Sequence, residues 1–100
     1  MVLLMLVRIP VRGRVGKLNR QYVYYISGEA GEYLANYIGR SVVLGISLNG
    51  AWVRVKARLS IAREFKPPRI AIYLPTRLNP TWESLYDKEV PGFIELEEAN

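Results

Sequence analysis

Two stretches of this chain set cations at alternate positions: Val7-Arg8-Ile9-Pro10-Val11-Arg12-Gly13-Arg14-Val15 and Val53-Arg54-Val55-Lys56-Ala57-Arg58-Leu59. In a β-strand, residues two apart share a face. As strands, these stretches would present Arg8, Arg12 and Arg14 on one basic face and Arg54, Lys56 and Arg58 on another, with the intervening apolar residues turned to a core. Densely spaced guanidinium and ammonium groups bind phosphates by charge-assisted hydrogen bonds. The pattern therefore points to a polyanion partner, with nucleic acid first.

Further candidates flank these stretches. Lys17 and Arg20 fall in a polar segment, 16–20, and Arg63, Lys66 and Arg69 fall in or beside a second one, 62–68. Trp52 has the parity of Arg54, so it is a candidate for stacking on a base or for covering one end of the core. Tyr22 and Tyr24 share one strand face and Tyr25 the other. One set is expected in the core and the other as an exposed stacking platform, and parity alone does not choose.

Other chemistries find few residues to carry them. With neither cysteine nor histidine in the chain, the usual zinc ligands, thiol nucleophiles and the general base near neutral pH are missing. The carboxylates Glu83, Asp87, Glu89, Glu95, Glu97 and Glu98 cluster at the C-terminal end and read as a charged surface or tail. Glu29 and Glu32 would repel a phosphate from the helix start at Ser27-Gly28. Gly13 to Gly16 lacks the spacing and terminal Lys-Ser or Lys-Thr of a phosphate loop. The expectation is a binding protein rather than an enzyme, with no cofactor and no metal.

The elements that would position these residues follow from pattern. Residues 2–12 read as a strand, with a bend at Gly13 and Gly16, and Gln21 to Ile26 as a second strand rich in aromatic and branched residues. Ser27 is placed to cap a helix from about Gly28 to Ile38, because Ala30, Tyr33, Leu34, Tyr37 and Ile38 recur at helical spacing, and Gly39 to stop it. A third strand covers 41–48, and Asn49-Gly50 is a hairpin turn signal. The order then restarts with a strand over 51–60, a loop over 62–68 and a strand over 69–74. Asn79-Pro80 opens a short helix whose Trp82, Leu85 and Tyr86 face the core, and Pro91-Gly92 turns into a last strand, 93–96.

A chain of 100 residues, half of them hydrophobic, is sized for a single domain spanning 1–100. Residues 1–66 hold eleven basic and three acidic residues, whereas 67–100 hold three basic and six acidic, so charge is polarised along the chain. The apolar start, Met1 to Val7, is too short to span a membrane and reads as the front of a buried strand in a cytoplasmic protein. Arginine outnumbers lysine ten to four and glutamine occurs once, which leans toward a heat-adapted source, a thermophile.

Both halves therefore read strand, strand, helix, strand, as units of about 7–48 and 53–97. Val7-Arg8-Ile9 is echoed by Val53-Arg54-Val55 after 46 residues, and Tyr25-Ile26-Ser27 by Tyr73-Leu74-Pro75 after 48. The run from Tyr25 through Leu34, followed by Gly39-Arg40-Ser41-Val42-Val43-Leu44, resembles the AbrB/SpoVT swapped-hairpin pattern, with Ser27 where that family has proline. Tyr73-Leu74-Pro75 and the later Pro91-Gly92-Phe93-Ile94 echo the same pattern. The resemblance implies two ββαβ units interlaced into one small, mostly β barrel with short helices, of swapped-hairpin or double-psi-like type, here in one polypeptide. It also implies a DNA-contact set of Arg8, Arg12, Arg14, Lys17 and Arg20, with Arg54, Lys56, Arg58, Arg63, Lys66 and Arg69 as its counterpart.

The functional expectation is an AbrB-like, DNA-binding transcription regulator or chromatin-associated factor. Two alternatives stand beside it. One is a protein-interaction module (adaptor, antitoxin-like or assembly subunit) using the acidic C-terminal region with Trp82, Tyr86 and Phe93, and the other is an RNA-binding accessory protein. The partner is nucleic acid, DNA ahead of RNA, with no membrane and with a second copy or a protein partner left open.

Overall fold

The computed structural model describes residues 4–99, so the expected strand start at residue 2 and the exposed end at Asn100 lie outside the described residues. The chain is mostly β with two short helices, as expected. In order it forms β1 (Leu4–Leu18), β2 (Gln21–Ile26), α1 (Gly28–Leu34), β3 (Ser41–Leu48), β4 (Ala51–Arg58), β5 (Ser60–Ala62), β6 (Arg69–Tyr73), α2 (Asn79–Glu83) and β7 (Glu89–Ala99). All strands join one antiparallel sheet in the order β4-β3-β7-β1-β2-β6-β5. Its two edge strands, β4 and β5, are neighbours in the chain with only Leu59 between them. No backbone ladder pairs them among the described residues, so the sheet does not close by hydrogen bonds.

Strand alternation explains the core. Val11 and Val15 of β1, Tyr22, Tyr24 and Ile26 of β2, Leu44 and Ile46 of β3, Ile72 of β6 and Ile94 of β7 all project to one side and meet in a single buried cluster. Leu34 from α1 and Trp82 from α2 plug it, and the Trp82 Nε1–H donates to the Pro75 carbonyl at 2.9 Å. Burial of an aromatic ring with its polar tip satisfied favours the folded chain by roughly 2–3 kcal/mol. A second, small cluster of Val23, Ala62 and Ala71, capped by Tyr25 and Phe65, lies on the opposite side of β2 and β6.

Several boundaries differ from the sequence expectation. Segment 16–20 is not a loop: β1 runs to Leu18, opposite Gln21, and only Asn19 and Arg20 turn, with φ of 51° and 68°. Two successive left-handed residues form the tight hairpin turn whose twist suits paired strands. Asn49-Gly50 turns the β3–β4 hairpin in the same way. Pro91-Gly92 is not a turn either, because β7 begins at Glu89 and both residues lie within it.

Proline is tolerated in a strand where one side has no ladder partner. Pairing of β7 with β3 stops at Gly92, and pairing of β1 with β2 begins only at Gly13, so Pro91 and Pro10 both sit beside an open edge. The first helix leaves α geometry after Leu34 and continues as a 3-10 turn over Ala35–Tyr37, and Ser27 makes no side-chain cap. Asn79 is the first residue of α2 rather than its cap, and its Oδ1 is buried without a hydrogen-bond partner among the described residues.

Candidate nucleic-acid interface

The side of β4-β3-β7-β1 turned away from the core carries both cation stripes. Arg8, Arg12 and Arg14 on β1, and Arg54, Lys56 and Arg58 on β4, are all exposed. Between them lie the outward residues of β3 and β7, with Val43 opposite Glu95 and Gly45 opposite Phe93. The two basic faces expected separately are thus two borders of one surface, because β3 and β7 fill the space between β4 and β1.

The middle of this surface is an ion-pair and aromatic cluster. Glu95 is only 6% exposed, yet its two oxygens accept from two arginines. The Arg8 Nη2 lies 2.9 Å from Oε2, and the Arg54 Nη1 lies 2.7 Å from Oε1. Both guanidiniums also sit over the Phe93 ring, at 4.4 Å and 5.0 Å from its centre. Phe93 can lie flat across β3 because residue 45 is glycine, where a Cβ would collide with the ring. Trp52, the residue opposite Ser47, packs on Phe93 with ring centres 5.1 Å apart and remains 54% exposed.

The charges along β1 and β4 are treated differently. Arg12 lies 3.5 Å from Glu89, and Arg14 donates to the Asp87 carbonyl at 2.7 Å with the Asp87 carboxylate 3.6 Å away. The polarity along the sequence is therefore not a polarity in space, since the acidic C-terminal strand pairs directly with the basic first strand. On β4, Lys56 and Arg58 face Val43 and Ser41 across the ladder. Among the described residues neither has a carboxylate within ion-pair distance. Arg40, next to this corner, lines a shallow depression of about 300 Å³ with Lys56, Val43, Leu6 and Glu97.

The other expected contact residues lie elsewhere. Lys17 has inward parity and its ammonium rests 5.0 Å above the Tyr22 ring, while Arg20 occupies the β1–β2 turn. Arg63 and Lys66 are exposed in the loop between β5 and β6. Arg69 is half-buried at the start of β6, its guanidinium 4.2 Å over Phe65. Six of the eleven residues thus share one sheet surface, Lys17 and Arg20 lie at the β1–β2 hairpin end, and Arg63, Lys66 and Arg69 lie in or beside the β5–β6 loop.

Two of the three stacking candidates are corrected. Tyr22 and Tyr24 belong to the buried set, at 6% and 0% exposure, because β2 turns even-numbered residues to the core. The Tyr24 hydroxyl donates to the Val90 carbonyl at 2.6 Å, and burial pushes its phenol pKa up. Tyr25 lies on the opposite face against Phe65, and its pKa is also raised, by burial and then by Glu64 and Tyr73. Of the aromatics that a C-terminal interaction surface would use, Trp82 and Phe93 are buried and only Tyr86 is exposed. Tyr86 was expected in the core, but α2 ends at Glu83, so helical spacing no longer directs it inward.

Pattern assigned Glu95 and Phe93 to the acidic, aromatic C-terminal region and did not bring them to the basic surface. The available signal was a lone carboxylate at an alternating position inside the apolar run Phe93-Ile94-Glu95-Leu96.

Comparison with known protein families, curated proteins and solved structures returns no match. Among the described residues, no helix is long and apolar enough to cross a membrane.

Proposed function

We propose that this chain is a cytoplasmic nucleic-acid-binding protein, with DNA as its first partner, and that it contacts phosphates from the outer surface of β4-β3-β7-β1. A role as a DNA-binding regulator or chromatin-associated factor belongs to the same reading. The observation that carries it is the corner of β4 where Lys56 and Arg58 stand exposed beside Arg54 and Arg40, with no carboxylate within ion-pair distance of either among the described residues. Exposed cations with no carboxylate to satisfy them attract a polyanion most strongly, because binding releases its counterions and breaks no internal ion pair.

The fold behind this surface is, in the same proposal, a small barrel of two ββαβ units, with β1, β2, β3 in one and β4–β5, β6, β7 in the other. The registers support it. A shift of 44 residues carries β1 onto β4–β5, and a shift of 48 carries β2 onto β6 and β3 onto β7, and ladder partners map onto ladder partners. Arg14 opposite Glu89 becomes Arg58 opposite Ser41, and Gly16 opposite Val23 becomes Ser60 opposite Ala71. The bonds joining Val15 to Asp87 and Lys88 reappear as those joining Leu59 to Gly39 and Arg40. The approximate two-fold passes through the Gly45–Phe93 and Tyr24–Ile72 pairs. Leu59 then carries the chain from one sheet edge to the other, which replaces the missing ladder.

This two-fold relates Arg12 to Lys56 and Arg14 to Arg58, while Glu89 and Asp87 correspond to Ser41 and Gly39. One half of the surface is internally neutralised and the other is left positive. Binding should therefore depend on one corner rather than on symmetric contacts. The test compares Lys56→Ala/Arg58→Ala with Arg12→Ala/Arg14→Ala in DNA binding at fixed low salt, with melting temperature as control. The β4 pair should weaken binding about tenfold or more and the β1 pair clearly less, since each lost phosphate contact carries a share of an electrostatic total. Equal losses, or none from the β4 pair, would remove the reading.

A further inference from the structure

Charge alone would settle a polyanion on this surface, and it leaves without a role the large aromatic ring exposed at the β4 border, Trp52. Trp52 is held at the second position of β4, just past the Asn49-Gly50 turn, and keeps more than half its surface open while Phe93 supports it from beneath. An indole left open costs hydrophobic free energy that burial would recover. Trp82, the other tryptophan, shows the alternative, with no exposed surface and its N–H satisfied.

Cations frame the indole. Arg54 follows it by two residues on the same strand face, Lys56 and Arg58 continue the row, and Arg8 approaches the same Phe93 ring from β1. An open sheet surface with an aromatic ring beside a track of cations is the arrangement that binds unpaired strands, with a base on the ring and phosphates along the charges. A duplex keeps its bases stacked inside and would leave Trp52 unused.

Building on the nucleic-acid reading above, we propose that this surface takes single-stranded DNA, with one base stacked on Trp52 and the flanking phosphates along Lys56 and Arg58, beyond the Glu95-bound Arg54. The surroundings favour deoxyribose. The neighbouring outward positions Val43, Gly45, Pro91 and Phe93 are apolar or bare, and both oxygens of Glu95 are already taken by Arg8 and Arg54. Among the described residues of β3, Ser47 opposite Trp52 and Ser41 opposite Arg58 are the outward hydroxyls, few for holding a run of ribose 2′-hydroxyls.

The experiment is titration of the intact chain with oligo-dT, an RNA of the same length and a DNA duplex, reading Trp emission and affinity together. Trp82 is buried and serves as a constant background. The expected result is quenching by oligo-dT and not by duplex. Trp52→Ala should lower oligo-dT affinity by about 5- to 150-fold, the range of one lost stacked base, and Trp52→Phe should retain most of the affinity. If Trp52→Ala loses its fold, the quenching and the Trp52→Phe comparison decide. Salt-sensitive oligo-dT binding with unchanged emission and unchanged affinity in the Trp52 variants would overturn the stacking site while leaving the phosphate surface standing. Tighter binding of RNA would overturn the assignment to DNA. Absence of salt-sensitive binding to all three probes would overturn the underlying nucleic-acid reading as well.

Discussion

Glu95 sets the charge of the outer surface by occupying two of its six strand cations. A nearly buried carboxylate is tolerated when charged donors satisfy it, and here Arg8 and Arg54 supply them from β1 and β4, two strands that do not pair with each other. Glu95→Gln should therefore lower stability by about 1–3 kcal/mol, read by urea denaturation, because two charge-assisted hydrogen bonds weaken at once. The same change frees Arg8 and Arg54, so nucleic-acid affinity should rise as stability falls, and a variant losing both would refute the division of roles. Tyr24 gives a second prediction. Its folded-state pKa lies above the ordinary value near 10, so the contribution of its neutral phenol is fully present below about pH 10 and is lost as pH rises through the folded value. Alkaline denaturation should begin above about pH 10 and be shallower in Tyr24→Phe, as followed by circular dichroism against pH. Parity in the sequence was enough to turn Arg8, Arg12, Arg14, Arg54, Lys56 and Arg58 outward. It could not say which of them meet carboxylates, since Glu95 and Glu89 arrive from a strand about 80 residues away in sequence from β1.

At the scale of elements, strands with alternating apolar residues were legible, as were the Asn49-Gly50 hairpin and the approximate place of both helices. What failed were readings based on local turn chemistry. Gly16 looked like a break, yet it lies within β1 where the Tyr25 ring covers it, and a Cβ there would strike that ring. Pro91-Gly92 looked like a turn, yet an open strand edge removes the cost of the missing N–H. Glycine in these strands makes room for an aromatic ring on a neighbouring strand. Gly45 is the sharpest case, because Phe93 must lie across it to support both arginines and Trp52. Gly45→Ala should destabilise the fold by about 1–3 kcal/mol through overpacking, lowering the melting temperature by several degrees. Gly39→Ala, where no neighbouring atom would meet the new Cβ, is a control that carries only the strain of its φ of 90°. A Gly45→Ala variant as stable as the wild type would mean that Phe93 is not pinned over β3.

For the whole molecule, the proposed relation between the two halves takes its spacing from the ladders and not from the sequence echo. The echo of Val7-Arg8-Ile9 in Val53-Arg54-Val55 suggested 46 residues, whereas under the proposed two-fold Val11, opposite Gly92, corresponds to Val55, opposite Leu44, a spacing of 44. Short Val-Arg repeats look alike at any even offset, so only the register separates them. The net charge of +5 likewise conceals how it is distributed. Acidic β7 neutralises much of β1 and leaves β4 exposed as the positive border, which makes long-range attraction the property on which the proposed function depends. The most direct measurement is affinity for DNA, duplex and single-stranded, across a series of salt concentrations for the wild type and for Lys56→Ala/Arg58→Ala. The proposed function predicts that log affinity falls linearly with log salt, by about 0.9 per phosphate neutralised on duplex and about 0.7 on a single strand. It also predicts that the double variant's slope is shallower by roughly two such contacts. Affinity independent of salt, or a slope unchanged by removal of both β4 cations, would contradict it.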